Sequence, residues 1–215
     1  MEKDTARVII LTGTPGVGKT TVAKELATNL SAKILNVSEI VQKEKLITEI
    51  DEQRKTVVAD MTKLKARIKS ILNRMKGDII IEGHYAYEVV PKIWNPYIFV
   101  LRRDPDDLET KLKERGYDDN KVSENVSAEV LDVCLIGSIK RFGKDRLDEI
   151  DVTHMDVIAT VNEIMTVLNG ENTSGVGKVD WIGKLEEDGR LEKFLSSLIR
   201  VEGVEYGHFE DDSET

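Results

Sequence analysis

Four apolar runs stand out in an otherwise charged chain: Val8-Ile9-Ile10-Leu11, Lys33-Ile34-Leu35-Asn36-Val37, Asp78-Ile79-Ile80-Ile81-Glu82 and Tyr97-Ile98-Phe99-Val100-Leu101. Short, uninterrupted runs rich in β-branched residues predict parallel strands buried on both faces. Glu149-Ile150-Asp151-Val152 predicts a weaker fifth strand. Between the runs, apolar residues recur at helical spacing. Val22, Leu26 and Leu30 form one stripe, and Met61, Leu64, Ile68, Ile71, Leu72 and Met75 another, closed by Gly77. Ser38 to Lys45 reads as a short helix. Leu108 and Leu112 follow Asp104-Pro105, with proline at an early helical position. Val122, Val126, Val130, Val133 and Ile136 read as one longer helix, and about Met155 to Leu168 as the last core helix. Strands alternating with helices predict an α/β fold, a five-stranded parallel sheet covered on both faces, over residues 1–169. Leu46 to Asp60 is mostly charged with little periodicity, which predicts a mobile segment. From Gly170 the chain reads as a linker, two short amphipathic pieces (Val179 to Leu185 and Leu191 to Ile199) and a disordered acidic end, GHFEDDSET.

The tetrapeptide GVGK occurs twice. In the first copy, Gly13-Thr14-Pro15-Gly16-Val17-Gly18-Lys19-Thr20 matches G-x-x-x-x-G-K-[ST], between a predicted strand and the predicted helix from Thr21. Its glycines let the backbone turn successive N–H groups inward around a polyphosphate, and the helix adds the positive end of its dipole. Lys19 is placed to reach the β- and γ-phosphates and the Thr20 hydroxyl to ligate Mg²⁺. The second copy, Gly175 to Lys178, lacks the upstream glycine, the hydroxyl and the preceding strand, so it reads as linker.

A P-loop also needs a carboxylate at the end of a neighbouring strand, to hold Mg²⁺ opposite Thr20. Glu82 is that candidate, since sites in such sheets gather at strand C-termini; an ordinary glutamate after a strand is the alternative. His84 could orient the attacking group or touch the metal shell, or be structural. Positive charge arriving as the site closes would come from a small lid, about residues 115–122, with Arg115 as first choice and a helix-capping arginine as the alternative. Lys113 and Lys121 flank the same loop. The base-reading Asn-Lys-x-Asp of GTPases is missing, because Asn120-Lys121-Val122-Ser123 lacks the aspartate. A small kinase is therefore favoured.

Composition narrows the setting. The chain of 215 residues carries a formal charge of −9, unevenly spread. From Arg54 to Lys76 there are eight Lys or Arg and one acid; from Glu186 to Thr215 there are ten acids and three bases. A basic helix and an acidic tail can serve different partners, or be two solvated surfaces. The lone Cys134 forms no internal disulfide, no run approaches a membrane span, and the N-terminus lacks a signal peptide's apolar core. The expectation is a cytoplasmic protein with no membrane partner. His84, His154, His208 and Cys134 have no zinc-like spacing.

GTPGVGKTT, LNVSEIV, IIIEGHYAYEVVPKIW and FVLRRDPDDLETKLKERGYDDNKVSENVSAEVL, in this order, resemble the adenylate kinase isoenzyme 6 family, most of all its archaeal branch. The resemblance covers about Arg7 to Leu168, and ERGYDDNKVSENVSAE is its distinguishing stretch. It implies nucleoside monophosphate kinase architecture, binding of ATP with Mg²⁺, and ATPase and adenylate kinase activity with AMP or another nucleoside monophosphate. It also implies association with a small-subunit ribosomal protein and a role in maturing pre-rRNA, for which the basic helix 54–76 would suit RNA. The family's acid-x-histidine motif falls on Glu82-Gly83-His84; eukaryotic members carry aspartate where this chain has Glu82. The monophosphate-binding segment maps loosely onto residues 37–61. Two further readings stay open: an ATP-driven assembly switch with incidental kinase activity, and a small-metabolite kinase of the shikimate or gluconate type.

Overall fold

A computed structural model describes residues 7–51, 56–171 and 175–201. Its central sheet contains β1 (Val8–Thr12), β2 (Lys33–Asn36), β5 (Ile79–Glu82), β6 (Tyr97–Arg102) and β7 (Leu147–Asp151), all parallel, in the order β2-β5-β1-β6-β7. Side chains alternate across a strand, so the runs of β1, β5 and β6 each feed two cores; β2, expected to be buried on both faces, is an edge strand with Lys33 and Ile34 exposed. Ile9, Leu11, Ile80, Phe99 and Leu101 face one side. They pack there against α1 (Lys19–Leu30), α5 (Pro105–Glu114) and α8 (Val157–Leu168), through Leu26, Leu108, Leu112, Val161 and Ile164. Val8, Ile10, Ile79, Ile81, Ile98 and Val100 face the other side. They meet Leu64, Ile68 and Leu72 of α3 (Met61–Leu72), Val89 of α4 (Ala86–Val89), and Cys134 and Leu135 of α7 (Val133–Phe142). Burial on both faces is why these strands lack the polar alternation of a half-exposed sheet. The sheet order reverses direction at β1, which opens a crevice at the C-terminal ends of β1, β2 and β5.

Several elements differ from the sequence reading. α2 is Val37–Lys43, with Asn36 as its N-cap. The segment expected to be mobile holds an antiparallel hairpin of β3 (Ile47–Asp51) and β4 (Thr56–Ala59), with a bulge between Ile47 and Glu49. The basic stretch is thus not one helix. Thr56 to Ala59 is strand, the helix begins at Met61 with Asp60 as its cap, and Arg74 and Lys76 lie beyond its end at Leu72. Arg54 and Lys55 fall outside the described residues.

The single helix expected from Val122 to Ile136 is two: α6 (Asp119–Val130) and α7, broken at Leu131-Asp132, where Asp132 has φ 56°. The break turns the Asp132 carboxylate onto the guanidinium of Arg102.

The compact unit extends to Asp180, and the chain from Trp181 forms a second unit. That unit holds α9 (Trp181–Glu187) and α10 (Leu191–Val201), joined by a turn in which Arg190 N–H donates to the Leu185 carbonyl at 2.8 Å. The acidic end, GHFEDDSET, lies outside the described residues, as do residues 172–174. No helix among the described residues is long and apolar enough to cross a membrane.

Candidate functional site

The crevice is a cleft of about 790 Å³. Its floor is the loop between β1 and α1. Gly13 has φ +134°, and a Cβ there would stand 2.3 Å from the Leu101 carbonyl oxygen, so only glycine fits. Val17 plants its side chain in the core (1% exposed), which pins the loop from beneath. Gly18 is the N-cap of α1 in a left-handed conformation and offers no side-chain cap, so the first-turn N–H groups keep their capacity for an anion.

Lys19 is buried and donates from Nζ to the carbonyls of Gly13 (2.7 Å) and Thr14 (2.9 Å). Burial lowers its pKa from the ordinary lysine value; nearby Cys134, Glu82 and Glu129 work the other way, and Arg115 adds to the lowering. Thr20 Oγ1 donates to Glu82 Oε1 at 2.9 Å, and Asn36 Nδ2 donates to the same oxygen at 2.6 Å. Glu82 is 3% exposed at the end of β5, in register with Leu11 of β1 and Asn36 of β2. Asn36 also accepts from the Glu39 N–H at 2.8 Å, capping α2 and fixing its own amide toward Glu82.

His84 follows on the same wall. Its carbonyl accepts from Thr12 Oγ1 (2.9 Å) and Cys134 Sγ (3.4 Å), which ties the backbone to β1 and α7. The imidazole stacks edge-on against Tyr85, with ring centroids 4.3 Å apart. It is open to solvent along the cleft but walled by protein, and that desolvation, with Lys19 and Lys121 nearby, pushes its pKa down to about 4. It is therefore neutral at physiological pH.

The opposite wall comes from Arg115 at the C-terminus of α5 and from Tyr117, Lys121, Glu124 and Asn125. β4 and α2 close the far end with Val57, Val58, Val41 and Gln42.

Pro15, Gly16, Gly18, Lys19, Thr20, Thr21, Glu82, His84 and Arg115 thus all line one cleft. Gly13 and Val17 shape it from below. Sequence reasoning passed over Asn36, Thr14 and Glu129. Thr14 Oγ1 donates to Glu129 Oε2 at 2.5 Å, and Glu129, 2% exposed, also accepts from Arg102 Nε at 2.8 Å. Two signals were available. Asn36 ends a strand, as Glu82 does, and Glu129 is a charge on the Val122–Val126 stripe, seven residues after the first and three after the second.

The residues present fit a magnesium nucleotide. Mg²⁺ takes few protein oxygens and completes its shell from water and phosphate. A hydroxyl and a carboxylate in contact, beside a glycine-lined anion cradle, form such a donor set. Among the described residues no group of three or more His, Cys, Asp or Glu could cage a metal instead.

Residues 9–132 match the AAA domain family. A protein of Methanocaldococcus jannaschii named "Putative adenylate kinase" is 42% identical over 176 residues, covering 82% of this chain and 93% of the relative. One of the same name from Saccharolobus solfataricus is 34% identical over 194 residues, covering 90% and 95%. Among solved structures, shikimate kinase from Acinetobacter baumannii in complex with shikimate superposes with a TM-score of 0.57 at 16% identity, covering 80% of this chain and 97% of that one. At that identity the likeness shows the fold, a P-loop α/β kinase architecture. The identity to the archaeal proteins goes further: this chain belongs to their family, a family of AAA-domain P-loop proteins.

Proposed function

We propose that the protein is an adenylate kinase, transferring the γ-phosphoryl group of ATP to AMP, with some ATP hydrolysis when no acceptor is bound. The observation that carries this reading is the convergence of Lys19, Thr20, Glu82 and Arg115 on one cleft. The names of the 34–42% identical relatives support the acceptor.

Bound Mg²⁺ would supply positive charge to the β- and γ-phosphate oxygens; Thr20 and Glu82 are the residues to hold it. Lys19 would exchange its two carbonyl partners for phosphate oxygens, which better satisfy a buried ammonium. The N–H groups from Gly16 to Thr20 would cradle the β-phosphate. Arg115 would add a planar fork of donors as charge moves from the attacking to the leaving oxygen. Neutral His84 can accept a hydrogen bond but adds no charge of its own, so it is suited to orienting an acceptor or water. The apolar end formed by Val57, Val58 and Val41, with Gln42 beside it, suits the flat face of the acceptor's base. In this reading β3, β4 and α2 are the monophosphate-binding segment, and residues 115–122 the lid. Lys19→Ala is expected to abolish both hydrolysis and transfer; retained activity would refute the site.

A second reading, an ATP-driven switch in small ribosomal subunit maturation, draws on one further observation. Lys65 and Lys69 are exposed one turn apart on α3, along one border of the buried stripe of Leu64, Ile68 and Leu72. That face suits pre-rRNA phosphates, and the acidic C-terminal residues suit a basic ribosomal protein. A direct binding measurement with an rRNA precursor fragment tests it. Binding unaffected by Lys65→Glu and Lys69→Glu would remove the case for α3.

A further inference from the structure

The second GVGK has a buried partner. Gly177 N–H and Lys178 N–H both donate to Glu149 Oε2, at 2.8 and 2.9 Å. Glu149 N–H donates back to the Gly175 carbonyl at 3.1 Å, so the segment lies along the edge strand β7. Val176, half-buried, packs against the core on the α3–α7 side. What reads as linker is a docked strap, and its N–H groups form a small anion nest around a carboxylate of the protein itself. Gly177 has φ +87°, a conformation that favours glycine.

Glu149 is fully buried. Its other oxygen, Oε1, pairs with Arg102 Nη1. Arg102 is 1% exposed and reaches three carboxylates: Glu149, Asp132 through Nη2, and Glu129 through Nε at 2.8 Å. Its Nη2 also donates to the Glu129 carbonyl at 3.0 Å. Glu129 Oε1 takes the Arg103 N–H at 3.1 Å, while Oε2 takes the Thr14 hydroxyl. Two buried carboxylates, Glu129 and Glu149, and the half-exposed Asp132 around one guanidinium leave surplus negative charge, and backbone N–H donors balance it at the buried pair. The strap supplies two of them, at the end of the network furthest from Thr14.

We infer that the strap, Glu149, Arg102 and Glu129 act as one positioning device that holds the phosphate loop through Thr14. The loop's glycines leave its backbone free to take many shapes, and Val17 fixes only its underside. Glu129 fixes the wall beside Gly13. Thr14 and Glu129 are positioning residues: neither needs to touch the nucleotide. This rests on the reading of the loop as the ATP site.

The test is titration of full-length protein with a fluorescent ATP analogue and Mg²⁺. Wild type, Lys19→Ala, Thr14→Val, Thr14→Ser, Glu129→Gln, Glu149→Gln and Gly177→Ala would be compared, each with its thermal midpoint. Thr14→Val keeps the shape and removes the hydroxyl, and is expected to weaken binding about tenfold, the scale of a hydrogen bond to a charged group. Thr14→Ser should restore it, which a purely steric role would not. The Thr14→Val/Glu129→Gln double variant should bind no worse than the weaker single variant. An alanine Cβ at Gly177 meets nothing within 4 Å and strains only the strap, so Gly177→Ala should weaken binding several-fold in wild type and not further in Thr14→Val. Wild-type affinity in Thr14→Val overturns the inference. So does wild-type affinity in both Gly177→Ala and Glu149→Gln. Failure of wild type itself to bind would instead remove the proposed ATP site, and the inference with it.

Discussion

The hydroxyl of Thr20 and the carboxylate of Glu82, 62 residues apart in the chain, meet at 2.9 Å on the floor of the cleft. Parallel pairing of β1 with β5 sets that contact, because the register puts Glu82 beside Leu11 just before the phosphate loop begins. Asn36 reaches the same oxygen from β2, so the carboxylate is held from two sides. Glu82→Gln keeps the shape and removes the charge. It is expected to lower phosphoryl transfer on the order of 10–100-fold, with the loss partly recovered at high Mg²⁺. Steady-state rates across a magnesium series check this; a rate insensitive to the substitution would exclude Glu82 from the metal's surroundings.

Arg115 ends α5, where the chain turns toward the predicted lid. Arg115→Ala is expected to cut kcat on the order of 10³-fold, the lower end of what a charge-stabilising arginine contributes in related chemistry. ATP affinity should change far less. Arg115→Lys should recover only part of the rate, since a point charge replaces a planar fork. A variant that loses affinity and keeps kcat would make Arg115 a ground-state ligand only.

His84 carries a pH signature. Its folded pKa of about 4 lies below the ordinary 6.5, because desolvation by the cleft walls disfavours the imidazolium and Lys19 and Lys121 add to the effect. Between these values the unfolded chain binds more protons than the folded one, so this group's contribution to stability rises with pH through that window and is lost as pH falls through it. Denaturant midpoints at pH 5 and pH 7 should therefore differ less in His84→Gln than in wild type. Proton NMR of wild type should show no His84 titration near pH 6.5; a midpoint there would contradict the geometry.

Arg102 is the buried centre of the strap-side network. Arg102→Met removes the cation and leaves the buried carboxylates of Glu129 and Glu149 without it, beside the half-exposed Asp132. A loss of about 3–5 kcal/mol in unfolding free energy is expected, as when one partner of a buried ion pair is deleted. Equilibrium urea unfolding measures it, and a loss within experimental error would mean the carboxylates find other partners.

How legible this was in the sequence depended on distance. The strands were readable because Val8 to Leu11, Ile79 to Ile81 and Ile98 to Leu101 are buried on both faces, and burial writes apolar runs. The phosphate loop was readable because its chemistry fits within eight consecutive residues. The β3–β4 hairpin was not: among its described residues only the paired Ile47 and Ala59 touch the core, and Val57 and Val58 stay 44% and 42% exposed along the cleft, so burial imposes no alternation over its length. The break between α6 and α7 was hidden because Val130 and Val133 keep a helical spacing across it. At the break Asp132 meets Arg102, 30 residues upstream, and no local pattern marks that contact. Thr14 and Glu129 are 115 residues apart, and no local pattern links them. The second GVGK misled in a physical way: it does bind an anion, but the anion is Glu149.

The most direct test of the central claim is to incubate the purified protein with Mg·ATP, with and without AMP, and follow ADP and inorganic phosphate together. The account predicts that AMP raises ADP formation steeply with little phosphate released, and that Lys19→Ala loses both signals. Phosphate release at the same rate with or without AMP, and no AMP-dependent ADP, would contradict it.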